Sequence, residues 1–464
     1  MITSIPASIV CERRTMVLFL LILLGLQPFN VSFEYTGSQA GKGTTETSFG
    51  CITAGNTSLD LSGNTQIIMA AYGESGEFLW ADSIHWGQGS EILAVQPWTD
   101  GIIFTGLWSD PSTSGNALAW AVSPDCQNMW SYSLELNGVE RFNTAAQGND
   151  GTIVCAGSTN SIGSGGNDVL MVALDQSGNL LWIKTYGTEG EEAAYHISAC
   201  DDGGYILACQ AMNWGAGNGD YWIIRTDSRG ETLWTGTYGG PEFEYPWRVQ
   251  QCSDGFYVAG STLSFGEGSY DWWILKLDTS GNIIWETVWG FNGTDSAMAL
   301  CIRNDRAVVG GASEPVTGSF PATVVVFDEN GNPANEWFFD QGIVRSIQTL
   351  DDGGFLMGGS TFFSGNEDLS AICTDSLGNC PEMGIEPLQQ PPSLFLIRNP
   401  VSASAVVRVL NGARTITVLD VYGRIVGYAA VNDQQAVFDT STLPVGIYSV
   451  QSSAGNTVRM AVIR

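Results

Sequence analysis

Four aspartates, Asp168, Asp220, Asp271 and Asp368, stand at one repeated position of this 464-residue chain. Each ends a loop, two of them as glycine-rich as GSGGND (Gly163–Asp168) and GAGNGD (Gly215–Asp220). Glu189, Glu191, Glu192, Glu242 and Glu244 fall in loops expected on the same face. Oxygen-only donor sets suit calcium, the one ion these loops could take. Recurrence in four copies favours a plainer role, with each aspartate capping the entry to a strand. No other cofactor is called for. His85 and His196 are the only histidines, and the ten cysteines include no CxxC, so a zinc cluster is not expected. His196 falls in a strand slot and reads as a packed side chain, not a base. No G-x-S-x-G, HExxH or P-loop occurs. Trp214 and Phe265 share one slot before glycine, which favours scaffolding over a sugar platform.

These side chains must be positioned by a repeat. NDGTIVCAG (Asn149–Gly157) returns as DDGGYILAC (Asp201–Cys209), SDGFYVAGS (Ser253–Ser261) and DDGGFLMGGS (Asp351–Ser360). Looser copies are TDGIIFTG (Thr99–Gly106), NDRAVVGG (Asn304–Gly311) and FGCITAGNT (Phe49–Thr57), seven in all. An acidic turn leading to tryptophan follows, as in LDQSGNLLW (Leu174–Trp182), TDSRGETLW (Thr226–Trp234) and LDTSGNIIW (Leu277–Trp285). The spacing, roughly fifty residues, marks an array of identical units. The copy Trp247–Gly290 reads as four strands: RVQQC, FYVAGST, WWILKL and IIWETVWG. Four-stranded units arranged radially make a β-propeller, here of seven blades. The last unit breaks at Cys380–Pro381, and proline opposes a central strand. The segment Phe33–Gly37 is expected to supply the missing strand and leave the ring without a free edge.

The net charge of −30 excludes nucleic acid as a partner, because phosphate binding needs lysine and arginine. It also argues against anionic membrane surfaces and reads as a solubilising surface. Arg13 and Arg14 precede the apolar run Val17–Leu26. That run is too short for a span, which needs about 20 residues, and suits an export signal. No integral membrane span is expected elsewhere. Cleavage near Ser32 fits ring closure better than cleavage near Ala40. Cysteines that recur in strand slots (Cys155 and Cys209; Cys200 and Cys252) read as small buried apolar residues. Cys373 and Cys380 flank the turn TDSLGN and could face each other across it.

Beyond a proline-bearing linker the period stops, and the tail turns basic. Short strands alternating with turn residues over the last stretch read as a small β-sandwich. Arg398–Asn399–Pro400 stands where a PNP opening would stand, with Arg398 replacing its first proline. Asp420–Val426 carries D-x-x-G-R-x-V through Asp420, Gly423 and Arg424. Leu443–Tyr448 carries LP-x-G-x-Y through Leu443, Pro444, Gly446 and Tyr448. In this order the motifs resemble the type A C-terminal sorting domain of the type IX secretion system. The resemblance implies an all-β chain delivered to, or released from, the outer-membrane surface of a Gram-negative bacterium of the Bacteroidetes kind. Its implied partners are the type IX machinery and a surface sortase.

The repeats resemble glycine- and tryptophan-rich propeller cargo, and the acidic turn is similar to the tryptophan-docking motif of quinoprotein propellers and to the Asp-box of sialidases. A sialidase would need clustered arginines. Arg141, Arg248 and Arg345 fall near the first strands of different blades, but at unequal offsets. The expected organisation is an export signal at 1–32, a seven-bladed β-propeller at 33–380, a linker at 381–395 and an Ig-like sorting sandwich at 396–464. The expected function is non-enzymatic binding of an extracellular ligand that the residues do not name. The alternative is a hydrolase of glycans or peptides.

Overall fold

The acidic turn is built by its own side chain. In the computed structural model, Asp175 Oδ1 accepts the main-chain N–H of Ser177 and of Asn179, both at 2.8 Å. Gly178 sits at φ +79°, where only glycine is free of strain. The same turn recurs at Asp227, Asp278, Asp328 and Asp375. The structure describes residues 29–33, 39–47, 49–58, 65–84, 89–109, 115–123, 128–212, 214–315, 318–363, 366–380, 394–396, 404–409, 414–419, 424–432, 435–443, 446–453 and 457–462. The chain divides into two compact units, Met1–Gly384 and Ile385–Arg464.

The first unit is a seven-bladed propeller of antiparallel four-stranded sheets. Blade five shows the plan: Glu244–Cys252 innermost, then Gly255–Thr262, Asp271–Asp278 and outermost Ile283–Trp289. Second and third strands are apolar on both faces because a neighbouring blade covers each face. In blade three, Ile153–Thr159 and Asp168–Leu174 are buried at every position. One long strand, Pro333–Thr349, serves twice, as the outer strand of blade six and the inner strand of blade seven.

The repeated tryptophans join one blade to the next. Trp130 packs on Gly178, Trp234 on Gly281 and Trp337 on Gly378, each glycine belonging to the acidic turn of the following blade. Their indole N–H groups donate to main-chain carbonyls of the same turns: Gln176 at 2.9 Å, Thr279 at 3.0 Å and Leu377 at 3.1 Å. A side chain on the glycine would strike the indole, so the positive φ and the packing demand the same residue.

The ring closes with a strand from the N-terminus. Phe29–Phe33 pairs antiparallel with Asn366–Cys373 as the outer strand of blade seven. The expected segment, Phe33–Gly37, starts four residues too late, and residues 34–38 lie outside the described residues. The sequence alternates apolar and polar residues from Phe29 through Thr36, so alternation alone does not mark where pairing begins. Blade seven and blade one also share a core of Cys51, Ile68, Tyr72, Leu356, Leu369 and Cys373. Cys380 lies instead against the blade-six and blade-seven core beside Trp337, and no disulfide joins it to Cys373.

The second unit is the expected small sandwich. Leu394–Leu396, Ser404–Val409 and Gln435–Asp439 form one sheet. Ile425–Ala430, Thr415–Leu419, Gly446–Ser452 and Thr457–Val462 form the other. Ile416, Val418 and Val450 are fully buried.

The closing strand covers four of the residues first assigned to the export signal. The exported protein is therefore expected to begin at or before Phe29, as read by N-terminal sequencing. Removing Phe29–Phe33 should lower the melting temperature and expose the edge Asn366–Cys373. A native-like melt in that deletion would show that the strand is dispensable.

Candidate functional site

One β-bulge interrupts the innermost strand of every blade at the same place. The bulged residues are Lys42, Leu93, Asn143, Tyr195, Trp247, Met298 and Arg345, and all seven are half-buried. A bulge re-aims a side chain that the ladder would otherwise bury. These seven ring the central channel. Below them Arg248 closes the bore: its guanidinium donates to the Arg345 carbonyl at 2.7 Å, from blade five to blade seven. His196 sits beside it, with Nδ1 3.1 Å from the Val249 carbonyl oxygen. Burial, and then the charge of Arg248, push its pKa down to about 3, so the imidazole is neutral. His85 lies outside the described residues.

The wall above the bulges is uneven. Phe243, just before the innermost strand of blade five, and Tyr245 and Trp247 within it stand at alternate positions and stack, with centroids 6.5 Å and 6.0 Å apart. Tyr195 meets Trp247 edge-on at 5.0 Å, and Tyr270 meets Tyr245 at 5.8 Å. The opposite wall is ionic. Arg345 pairs with Glu367 at 2.9 Å, and Lys42 with Glu91 at 3.5 Å. Arg141, Arg345 and Arg248 all reach the channel wall, at three successive levels instead of one cluster. Repetition in the sequence hid this site, because the bulged side chains differ from blade to blade. The alternating aromatics of FEYPW were the signal that could have found it.

The repeated acids face inward and are spent on the backbone. Asp220 Oδ2 accepts the Ala216 N–H at 2.6 Å and the Gly217 N–H at 3.3 Å; Asp168 accepts from Ser164 at 3.0 Å. Glu244 Oε2 takes the Gly240 N–H at 3.1 Å, and Glu192 Oε2 the Thr188 N–H at 3.1 Å. Asp168 and Asp220 thus close their own loops, and Glu192 and Glu244 close the connections between blades. Glu189, Glu191 and Glu242 are exposed. Trp214 donates to Glu192 at 2.9 Å, and Phe265 packs on Trp273 at 5.2 Å, so both are scaffold. On the opposite face an open polar depression of about 490 Å³ lies between Thr99, Gln147, Asn149 and Gln176.

No curated protein matches the chain. A family model described as a secretion system C-terminal sorting domain matches residues 399–463. The tail is a type IX secretion sorting domain. It makes the protein a secreted or outer-membrane-surface protein of the Bacteroidetes kind, with the type IX machinery as a partner. Of the sorting-domain motif residues, Asn399, Pro400, Asp420, Gly423 and Pro444 lie outside the described residues. Arg424 immediately precedes Ile425–Ala430, and Leu443 is buried in a turn. Gly446 and Tyr448 lie opposite Val462 and Met460 on neighbouring strands.

The chain also aligns with solved structures at low identity. An alpha-L-arabinofuranosidase from Fusarium graminearum is 11% identical at a TM-score of 0.42, covering 76% of this chain and 98% of that one. Sqt1 from Chaetomium thermophilum is 13% identical at 0.45, covering 89% and 99%.

Between blades five and six, Asp271 and Asp295 face each other across Gly290. Burial, then the Asp295 charge, and Glu267 more weakly, raise Asp271 from 3.8 to about 7. Asp295 is raised too, by burial first and by Glu314. A raised native pKa means the folded state holds a proton that the unfolded chain releases. Its contribution is full below the unfolded value and is lost as pH climbs through about 7. Melting temperature should therefore fall from mildly acidic to neutral pH. Asp271→Asn should flatten that fall and stabilise the protein above neutrality. An unchanged pH profile in the variant would remove this pair as its source.

Proposed function

We propose that the exported propeller is a non-enzymatic binding module whose ligand seat is the channel mouth. The observation that carries this is the aromatic wall of Phe243, Tyr245 and Trp247 with Tyr195, half-exposed on adjoining strands and backed by ordered ring contacts. Aromatic faces with a few fixed polar groups suit a ligand that offers apolar C–H faces and hydroxyls or amides, as glycans and peptides do. The Trp247 Nε1 is buried without a hydrogen-bond partner in the protein. A hydrolase, the alternative reading, would need two carboxylates opposed across the mouth. Glu91 and Glu367 are there, but each is tied to a cation.

The same reading gives the chain an N-terminal export signal ending before Phe29 and a surface sortase acting in the linker 381–395. The motif residues Asn399, Pro400, Asp420, Gly423, Arg424, Leu443, Pro444, Gly446 and Tyr448 are what the machinery and sortase would recognise.

Two measurements test this. On a glycan and peptide array, the mature protein should retain a defined ligand class, and Trp247→Ala should weaken it by about tenfold or more while folding is kept. Equal retention by Trp247→Ala, or release of cleaved product, would overturn the proposed seat. Deleting 396–464 should leave a folded propeller in the periplasm, shown by fractionation with surface protease treatment. Normal surface delivery of the truncated chain would contradict the sorting role.

A further inference from the structure

The seam that closes the ring, between blade seven and blade one, differs from the others in what its two faces present. In blades three, four and six, the residue two places before the turn aspartate packs toward the start of the next blade's second strand. Ala173 shares a core with Tyr205 in this way, and Val326 with Phe355. The Arg225 guanidinium stands 6.0 Å over the Phe256 ring. Each time an aromatic ring fills the space between the sheets. At the closing seam the same two positions are Cys373 and Cys51, both fully buried in one shared core. No other seam has cysteine at either position. With two small side chains in place of a ring, the sheets draw together. Asn366–Cys373 and Gly50–Ser58 come within 8 Å, Cα to Cα, a closer approach than the corresponding strands make at other seams among the described residues. A disulfide spans about 4.4–6.8 Å between the same atoms. Thr53 Oγ1 donates across the seam to the Ser370 carbonyl at 3.4 Å. Second and third strands run in opposite directions in each of these blades. Moving from that bond toward Gly50 on one strand and away from Asn366 on the other therefore reaches Cys51 and Cys373 together. Burial first, then the neighbouring Cys373, and Glu46 after it, push the Cys51 thiol up.

We propose that Cys51 and Cys373 join as a disulfide in the exported protein and lock blade seven to blade one. The chain is bound for the cell surface or beyond it, and the compartments on that route are oxidising. The two thiols give up two protons and two electrons as the sulfur–sulfur bond forms. A disulfide oxidant of the export compartment takes them and leaves as a dithiol, through two successive thiol–disulfide exchanges. The bond forms as the seam closes, because burial in the closed seam withholds the Cys51 thiolate that exchange requires. Once made, it closes a loop that holds almost the whole propeller, and long closed loops restrict the unfolded chain most. It also ties the one junction of the ring that no continuous stretch of chain connects.

The test is mass spectrometry of the chain collected after export, purified without reductant, then unfolded and alkylated before and after reduction. The unreduced chain should take up two fewer alkyl groups than the reduced chain. Its tryptic digest should hold a disulfide that joins the peptide of Cys51 to the peptide of Cys373. Cys51→Ala and Cys373→Ala should each abolish that link and lower the melting temperature measured without reductant. Alanine already stands at the Cys373 position in blade three, as Ala173, so the fold accepts it there. If neither variant folds, the mapping on the native chain decides alone. Full alkylation of the unreduced chain would overturn the proposal. So would a bond from Cys373 to Cys380, or a link between the two peptides that survives in the variants.

Discussion

The molecule depends on one contact made again and again, an indole laid on the turn glycine of the next blade. Trp130 on Gly178, Trp234 on Gly281 and Trp337 on Gly378 are the same contact at three stations. A lone four-stranded sheet with two apolar faces has nothing to bury them against. The indole fixes the angle at which the neighbouring sheet arrives, and the indole N–H keeps the turn from sliding. Glycine is needed twice at that point, for its positive φ and for its missing side chain. That double need explains why the phrase survives in blades whose other residues have diverged.

A propeller held together at its rim is free to vary at its axis. The bulge in each inner strand uses that freedom, turning out a lysine, a leucine, an asparagine, two aromatics, a methionine and an arginine at equivalent positions. The outcome is a channel with an apolar wall and an ionic wall, built on a ring whose backbone is nearly symmetric. The acids that repeat do the opposite work: Asp168, Asp220, Glu192 and Glu244 are buried and close loops.

Blade number, the turn geometry and the inter-blade role of tryptophan were legible because Asp, Gly and Trp are the residues that the repeat cannot change. The sorting tail was legible from three motifs in order, from Asn399 to Tyr448. The channel was not. Arg141, Arg248 and Arg345 looked unrelated by offset because they stand at different levels of one wall, before, after and at the bulge. The start of the closing strand was misplaced by four residues because apolar–polar alternation runs from Phe29 through Thr36, so the pattern fits a strand in either register of that stretch.

Pairing Phe29–Phe33 with Asn366–Cys373 brings together the two ends of the propeller. Contacts between chain ends form late, since every intervening loop must be closed first. A chain that emerges N-terminus first presents blade one before blade seven. Its opening strand must wait, unpaired and partly apolar, until the last blade arrives. Completion of the ring thus reports that the whole propeller has emerged, and only the sorting tail is still to follow.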